Sequence, residues 1–182
     1  MHADWVVMPT CLPLVLRHCH ACPSERFRTS GKFRVNAHHK VLDAWLLALC
    51  ATCGQTTKLT VLERVRVRSV RPGLLDRMHD NDPALAAELL QDAALLRRNR
   101  VALDWEGAWR LDTGGTDHLT AEVIDVSVRF AARIPVRPVR LIAEGCGLPR
   151  AAVERLLAEG KLVSVVRPTG KSSDDFTFTL KR

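Results

Sequence analysis

Of the six cysteines in this 182-residue chain, four form two close pairs, Cys19-His-Ala-Cys22 and Cys50-Ala-Thr-Cys53. A two-residue gap lets one tight turn aim both sulfurs at a single ion, and two such turns complete a tetrahedral four-thiolate shell. Gly54 follows the second pair, where a knuckle needs a permissive backbone. The expected cofactor is therefore one structural Zn2+ held by Cys19, Cys22, Cys50 and Cys53. Four thiolates leave no open position for a substrate, which argues against zinc catalysis. The competing chemistry is redox cycling of a CxxC pair, but neither pair precedes a helix that would depress a thiol pKa. His18 and His20 are able to replace a cysteine, yet as neighbours of the first pair they are expected at the surface. Cys11 and Cys146 are left over and are expected as free buried thiols.

No other constellation announces a reaction. No nucleophile stands at an informative distance from a base, Gly114-Gly115 reads as a turn and not a phosphate cradle, and His38-His39 suits a polar hairpin tip. The expected protein is not an enzyme, and no small-molecule substrate is inferred. Hydrophobic residues at 47% and charged residues at 26% describe a folded chain with a packed core. No run of about twenty apolar residues offers a membrane span, and Leu12–Leu16 is too short for the apolar part of a signal peptide. The expected compartment is the cytoplasm, where reduced thiols favour metal ligation over disulfides.

Net charge is +7, and one zinc with four thiolates would subtract two, leaving about +5. Its distribution is uneven. Residues 74–117 hold nine acids, Asp117 the last of them, against five arginines, so the excess of positive charge lies in the run Lys58–Arg71 and in the stretch Arg129–Lys171.

The elements that must position these groups can be read from periodicity. Trp5–Met8 and Leu14–Leu16 are short extended pieces separated by prolines. Lys32–Ala37 and Val41–Leu49 form a hairpin, and the alternating, β-branched Thr56–Val67 adds a third antiparallel strand. Pro72-Gly73 ends this module. A short helix over Leu74–His79 precedes one over Ala84–Arg98, with Asp82 as N-cap and Pro83 at the first helical position. Val101–Trp105 and Trp109–Leu111 read as a small hairpin with both tryptophans in the core, and 112–117 as a loop. Glu122–Phe130 alternates as a strand. Two short helices, Val139–Glu144 and Pro149–Glu159, precede strands over Leu162–Val166 and Phe176–Leu180, which flank a polar loop at 169–175.

Arg137-Pro-Val-Arg-Leu-Ile142, Gly147-Leu-Pro-Arg-Ala-Ala-Val153 and Leu156-Leu-Ala-Glu-Gly-Lys-Leu162 resemble the ribosomal S4-type RNA-binding domain. Arg137, Leu141, Ile142, Arg150, Leu156, Leu157 and Gly160 fall on the family's positions. Val139 replaces its aspartate, Pro149 and Ala151 replace its serines, and no Asn-Gly follows Leu162. The resemblance implies RNA contact, for which Arg137, Arg140, Arg150, Arg155 and Lys161 are the candidate phosphate ligands, since guanidinium forks match phosphate oxygens.

Over a longer stretch, Cys19-x-x-Cys22, Ser30–Ala37, Leu42-Asp-Ala-Trp-Leu46, Cys50-x-x-Cys53, Leu59–Arg64 and Asn81-Asp-Pro83 look like the bacterial group known as domain of unknown function 1062. That resemblance implies a zinc-ribbon start and an S4-like end, without an activity. Within it, Arg34, Asn36 and Asp43 are expected to form a cross-strand structural pair beside the metal, and Trp45 is expected in the core.

The expected fold class is α+β: an N-terminal three-stranded zinc-ribbon sheet, a helical middle segment, and a C-terminal S4-like helix pair with short strands. The expected domains are a ribbon at 1–72, a spacer at 73–118 and an S4-like domain at 119–182. The function expected from these parts is a non-enzymatic zinc-ribbon protein contacting structured RNA. The alternative is a protein-interaction module docking on a larger assembly.

Overall fold

The computed structural model describes residues 1–115, 121–164 and 170–181. The elements run β1 (His2–Pro9), β2 (Leu14–Leu16), β3 (Arg26–His38), β4 (Val41–Cys50), β5 (Thr56–Arg66), α1 (Pro72–His79), α2 (Pro83–Gln91), α3 (Ala93–Asn99), β6 (Ala102–Asp104), β7 (Trp109–Asp112), β8 (Val123–Phe130), α4 (Pro138–Cys146), α5 (Arg150–Ala158), β9 (Leu162–Ser164) and β10 (Phe176–Lys181). They group into two compact units: a terminal unit of Met1–Cys11 with Gly107–Arg182, and a central unit of Leu12–Glu106.

The central unit is an antiparallel five-stranded sheet, ordered β5-β4-β3-β2-β6. Its spine is β4, whose side chains alternate between a buried face carrying Leu42, Ala44, Leu46 and Ala48 and a half-exposed face. Onto the buried face pack Met78 of α1, Leu85, Ala86 and Leu90 of α2, and Leu95 of α3. Helices α1 and α2 both open on proline, whose missing N–H is unneeded in a first turn. At Asp92 the chain turns extended with ψ 108°, and the carboxylate accepts the Ala94 N–H, so the periodic stretch 84–98 becomes two helices.

The terminal unit is a mixed five-stranded sheet, β7-β1-β8-β10-β9, in which β1 runs parallel to β8 and antiparallel to β7. Trp5 and Val7 of β1 are fully buried with Ile124, Val126 and Val128 of β8. Helix α4 buries Leu141, Ile142 and Ala143 and ends at Gly147, whose left-handed φ of 64° is the conformation glycine supplies at a helix C-terminus. A Cβ on Gly145 would fall inside the Trp5 indole, so this close approach requires glycine.

The expected α+β layout does not hold. The chain is mixed α/β, and the three ribbon strands are the middle and one edge of a five-stranded sheet that recruits β2 and, from far along the chain, β6. Among the described residues the middle of the chain forms no separate helical segment, because α1, α2 and α3 cover that same sheet. The described chain closes not on an S4-like helix pair but on strand β10, paired between β8 and β9. The expected hairpin of 101–111 also divides: β6 pairs with β2 in the central unit, and β7 with β1 in the terminal unit. Strand chemistry reveals that a segment is extended and is silent about its partner. Asp117, the expected strand end at Val165-Val166, and Thr169 at the start of the polar loop lie outside the described residues. Among the described residues, no helix is long and apolar enough to cross a membrane.

Candidate metal centre

The two cysteine pairs sit in two turns at one end of the central sheet. Cys19 and Cys22 belong to the connection from β2 to β3. Cys50 is the last residue of β4, paired across to Phe27, and Cys53 lies in the following turn. Each turn closes on its own backbone. The Cys19 N–H donates to the Ser24 carbonyl at 2.9 Å, and the Gly54 N–H donates to the Cys50 carbonyl at 3.0 Å, with Gly54 at φ 73° as the knuckle needs. The Ala51 N–H donates to the Arg26 carbonyl at 2.8 Å and ties the second turn to the strand leaving the first. Sheet register therefore brings together residues that are about thirty positions apart in sequence.

All four sulfurs lie within 4.8 Å of one another. The Cys19–Cys53 Sγ separation is 3.7 Å and that of Cys22–Cys50 is 3.6 Å. Metal–sulfur bonds of about 2.3 Å in a tetrahedron require sulfur–sulfur edges of about 3.8 Å, whereas a disulfide requires about 2 Å. The cluster has the first dimension, and all four thiols are free. Cys19 and Cys50 are buried, Cys22 is half-buried and Cys53 exposed.

The electrostatics suit a cation. The Cys50 thiol is lowered to about 6, foremost by the Cys53 backbone N–H and also by that of Thr52, against the opposing effect of burial. For Cys22 the largest single influence, the Ser24 backbone N–H, draws the pKa down. Burial and the thiols of Cys53, Cys50 and Cys19 outweigh it and push the value up to about 12. Turn amides thus stabilise one thiolate while its neighbours resist sharing the space as anions, and a divalent cation removes that conflict.

His18 and His20 are exposed and stand outside the cluster. Cys11 is exposed and Cys146 half-buried, so neither is the buried thiol expected from its type. Asn36 and Asp43 are direct cross-strand partners, as are Arg34 and Trp45, but they lie toward the β3–β4 tip, remote from the cysteine end where Phe27 faces Cys50. Trp45 is half-buried with the Lys58 ammonium 4.8 Å from its ring centroid, and is not in the core. Trp105 is buried, whereas Trp109 is half-buried beneath the Arg140 guanidinium at 5.1 Å.

In the terminal unit, Arg137, Arg140 and Arg150 line one cleft of about 480 Å³, with Glu154 as its acid. Arg155 and Lys161 do not join them; both turn to Glu159, at 4.0 and 3.2 Å.

Several structural residues escape a reading by motif. The Asn99 amide accepts the Thr60 N–H at 2.7 Å and donates to the Thr60 carbonyl at 3.0 Å, engaging edge strand β5 as a neighbouring strand would. Asn81, at φ 54°, accepts the Phe33 N–H where β3 is bulged, and Asp43 accepts the Arg64 N–H where β5 is irregular. Asp82 caps α2 and, with Glu88, clamps Arg77, an arrangement that lowers both carboxyl pKa values. The Asn81-Asp-Pro83 triplet is the one visible signal of this node in the sequence; Asn99 gives none.

Fold and site together define a mixed α/β protein of two sheet units with a four-cysteine centre able to hold a metal ion. The chain belongs to the family described as protein of unknown function (DUF1062), whose profile matches residues 35–168. Cys50 and Cys53 lie inside that match, and Cys19 and Cys22 precede it. No curated protein and no solved structure matches the chain.

Proposed function

We propose that Cys19, Cys22, Cys50 and Cys53 hold one structural Zn2+, and that the protein is a non-enzymatic adaptor contacting structured RNA through the arginine cleft of α4 and α5. The observation that carries the metal reading is the convergence of four sulfurs at tetrahedral spacing. An all-thiolate tetrahedral shell suits zinc or iron and disfavours calcium and magnesium, and zinc is the ion of structural four-cysteine sites that join two turns. A filled shell makes the metal structural, because it cross-links two turns that enter and leave different strands of the central sheet.

The RNA reading rests on Arg137, Arg140 and Arg150 lining one cleft in which Glu154 is the one acid among the described residues. Guanidinium forks spaced along a groove suit a phosphate backbone, and the chain's positive charge adds to the attraction. Elemental mass spectrometry of protein purified without chelator is expected to return one zinc per chain, lost in Cys19→Ser and Cys50→Ser. Zinc-free, folded protein would refute the metal reading. For RNA, gel shifts with a structured transcript are expected to weaken steeply with salt and to fail in Arg137→Ala/Arg150→Ala. A shift that the double variant leaves intact would show that this cleft is not the site.

A further inference from the structure

The half-exposed face of the central sheet has an uneven composition. On β4 it presents Val41, Asp43, Trp45, Leu47 and Leu49, the last 41% exposed. The register places a cation opposite four of these five: Arg66 across from Val41, Arg34 from Trp45, Lys58 from Leu47 and Arg28 from Leu49. All four are exposed, and among the described residues none forms an ion pair with a carboxylate. The one acid on the row, Asp43, is engaged by the Arg64 N–H at 2.8 Å. At the β3–β4 tip the row opens into a cleft of about 610 Å³, lined by Lys40, Arg66 and Arg68 around Val41 and Val67, with His39 beside them and no acid among the described residues.

We infer that this face of β3, β4 and β5 is a platform for unpaired single-stranded nucleic acid, with Trp45 as the stacking surface and Arg28, Arg34, Lys58 and Arg66 following the backbone. Charge complementarity selects the occupant. A row in which four cations outnumber the carboxylate of Asp43 over an apolar floor suits an anionic polymer with flat apolar faces, and unpaired nucleotides combine both properties. The Lys58 ammonium lies 4.8 Å from the Trp45 ring centroid, so a base stacking on this face would displace it toward the neighbouring phosphate. From Val41 to Leu49 the row is about 26 Å long at a strand's rise per residue, enough for a footprint of about four nucleotides. A duplex is excluded as the preferred ligand, because its bases are stacked on each other and unavailable to Trp45. This inference does not rest on the α4–α5 cleft, which is in the other unit.

The test is fluorescence anisotropy with labelled 12-mers of oligo-dT and oligo-U, with the matching duplex as control, and with full-length zinc-loaded protein. Expected are binding at low salt that declines as salt rises, clear preference for single strands, and quenching of intrinsic tryptophan emission. Trp45→Ala is expected to weaken binding by about ten-fold, in line with one lost base–aromatic stack. Trp45→Phe should retain most of it, which separates stacking from a folding defect. Arg34→Ala/Lys58→Ala should reduce the dependence on salt. No single-strand binding by the wild type, equal affinity for duplex, or affinity that Trp45→Ala leaves unchanged would each overturn the proposal. Loss of binding confined to Arg137→Ala/Arg150→Ala would overturn it too, in favour of the α4–α5 cleft. Capture of an acidic protein by this face with no oligonucleotide binding would do the same.

Discussion

The two units are held together by different means. The terminal unit is centred on a close apolar fit: Trp5 of β1 is buried beneath α4 at Gly145, with the Phe178 ring edge-on at 5.3 Å, and Thr179 of β10 donates to Asp125 of β8 at 2.6 Å. The central unit has an apolar core as well, but adds polar and thiol fastenings at its irregular places. Four cysteines gather two turns, Asn81 and Asp43 meet backbone amides where β3 and β5 depart from regular pairing, and Asn99 occupies the β5 edge. The physical lesson is that a long bulged sheet leaves backbone groups without ladder partners, and each must find another. The terminal unit meets the same need at the end of β8, where Asp175 accepts the Phe130 N–H at 2.8 Å, and adds to it the close packing around Trp5.

Metal removal should separate the units most sharply. Chelation, or Cys50→Ser, is expected to strip protection from β3, β4 and β5 in hydrogen exchange read by mass spectrometry, while β1 and β8 keep theirs. Structural zinc sites contribute about 10 kcal/mol or more in small domains, comparable to a whole domain's stability. Equal loss of protection in both units would break the comparison.

Packing damage should do the reverse. Gly145→Ala forces a methyl group into the Trp5 ring, and overpacking of this kind costs about 1–3 kcal/mol even after the gain in helix propensity. Lower thermal stability is expected with zinc content unchanged, as differential scanning calorimetry and elemental analysis would establish together. A neutral result would mean that α4 shifts without penalty.

Asn99→Ala leaves the Thr60 N–H and carbonyl without their side-chain partner and should destabilise the central unit by about 1–2 kcal/mol in urea denaturation. Its companion effect, faster exchange of the Thr60 amide, would assign the loss to the sheet edge.

The smallest expected effect is on acid stability. The hydrogen bonds from Arg77 lower the carboxyl pKa values of Asp82 and Glu88 in the folded protein. Their stabilisation is therefore complete above the unfolded values near pH 4 and is lost as pH falls through the lower folded values. Arg77→Met should flatten this part of the acid-stability profile relative to wild type. Comparing the two at equal zinc content separates it from protonation of the cysteines.

Legibility followed the range of each interaction. The cysteine pairs could be read because spacing within each pair is local chemistry, and most strands and helices announced themselves through alternation or caps such as Asp82-Pro83. The break at Asp92 was hidden because an aspartate inside a leucine-rich periodic stretch fits a continuous helix as well as a capped second one. An aromatic residue in an apolar strand is compatible with either face, so the sequence does not place Trp45; the burial pattern of β4, with Arg34 opposite Trp45 and the Lys58 ammonium near its ring, shows which face it takes.

By itself the sequence determined which segments are extended or helical, which sulfurs are available for a metal, and where the basic residues accumulate, since these depend on neighbours a few residues away. Only the tertiary structure decided that β6 and β7 part company, that β1 lies between two strands more than a hundred residues downstream, and that three arginines share a cleft. Those outcomes are set by register and by which apolar faces can be covered together. They are properties of the whole packed chain, and no local pattern encodes them.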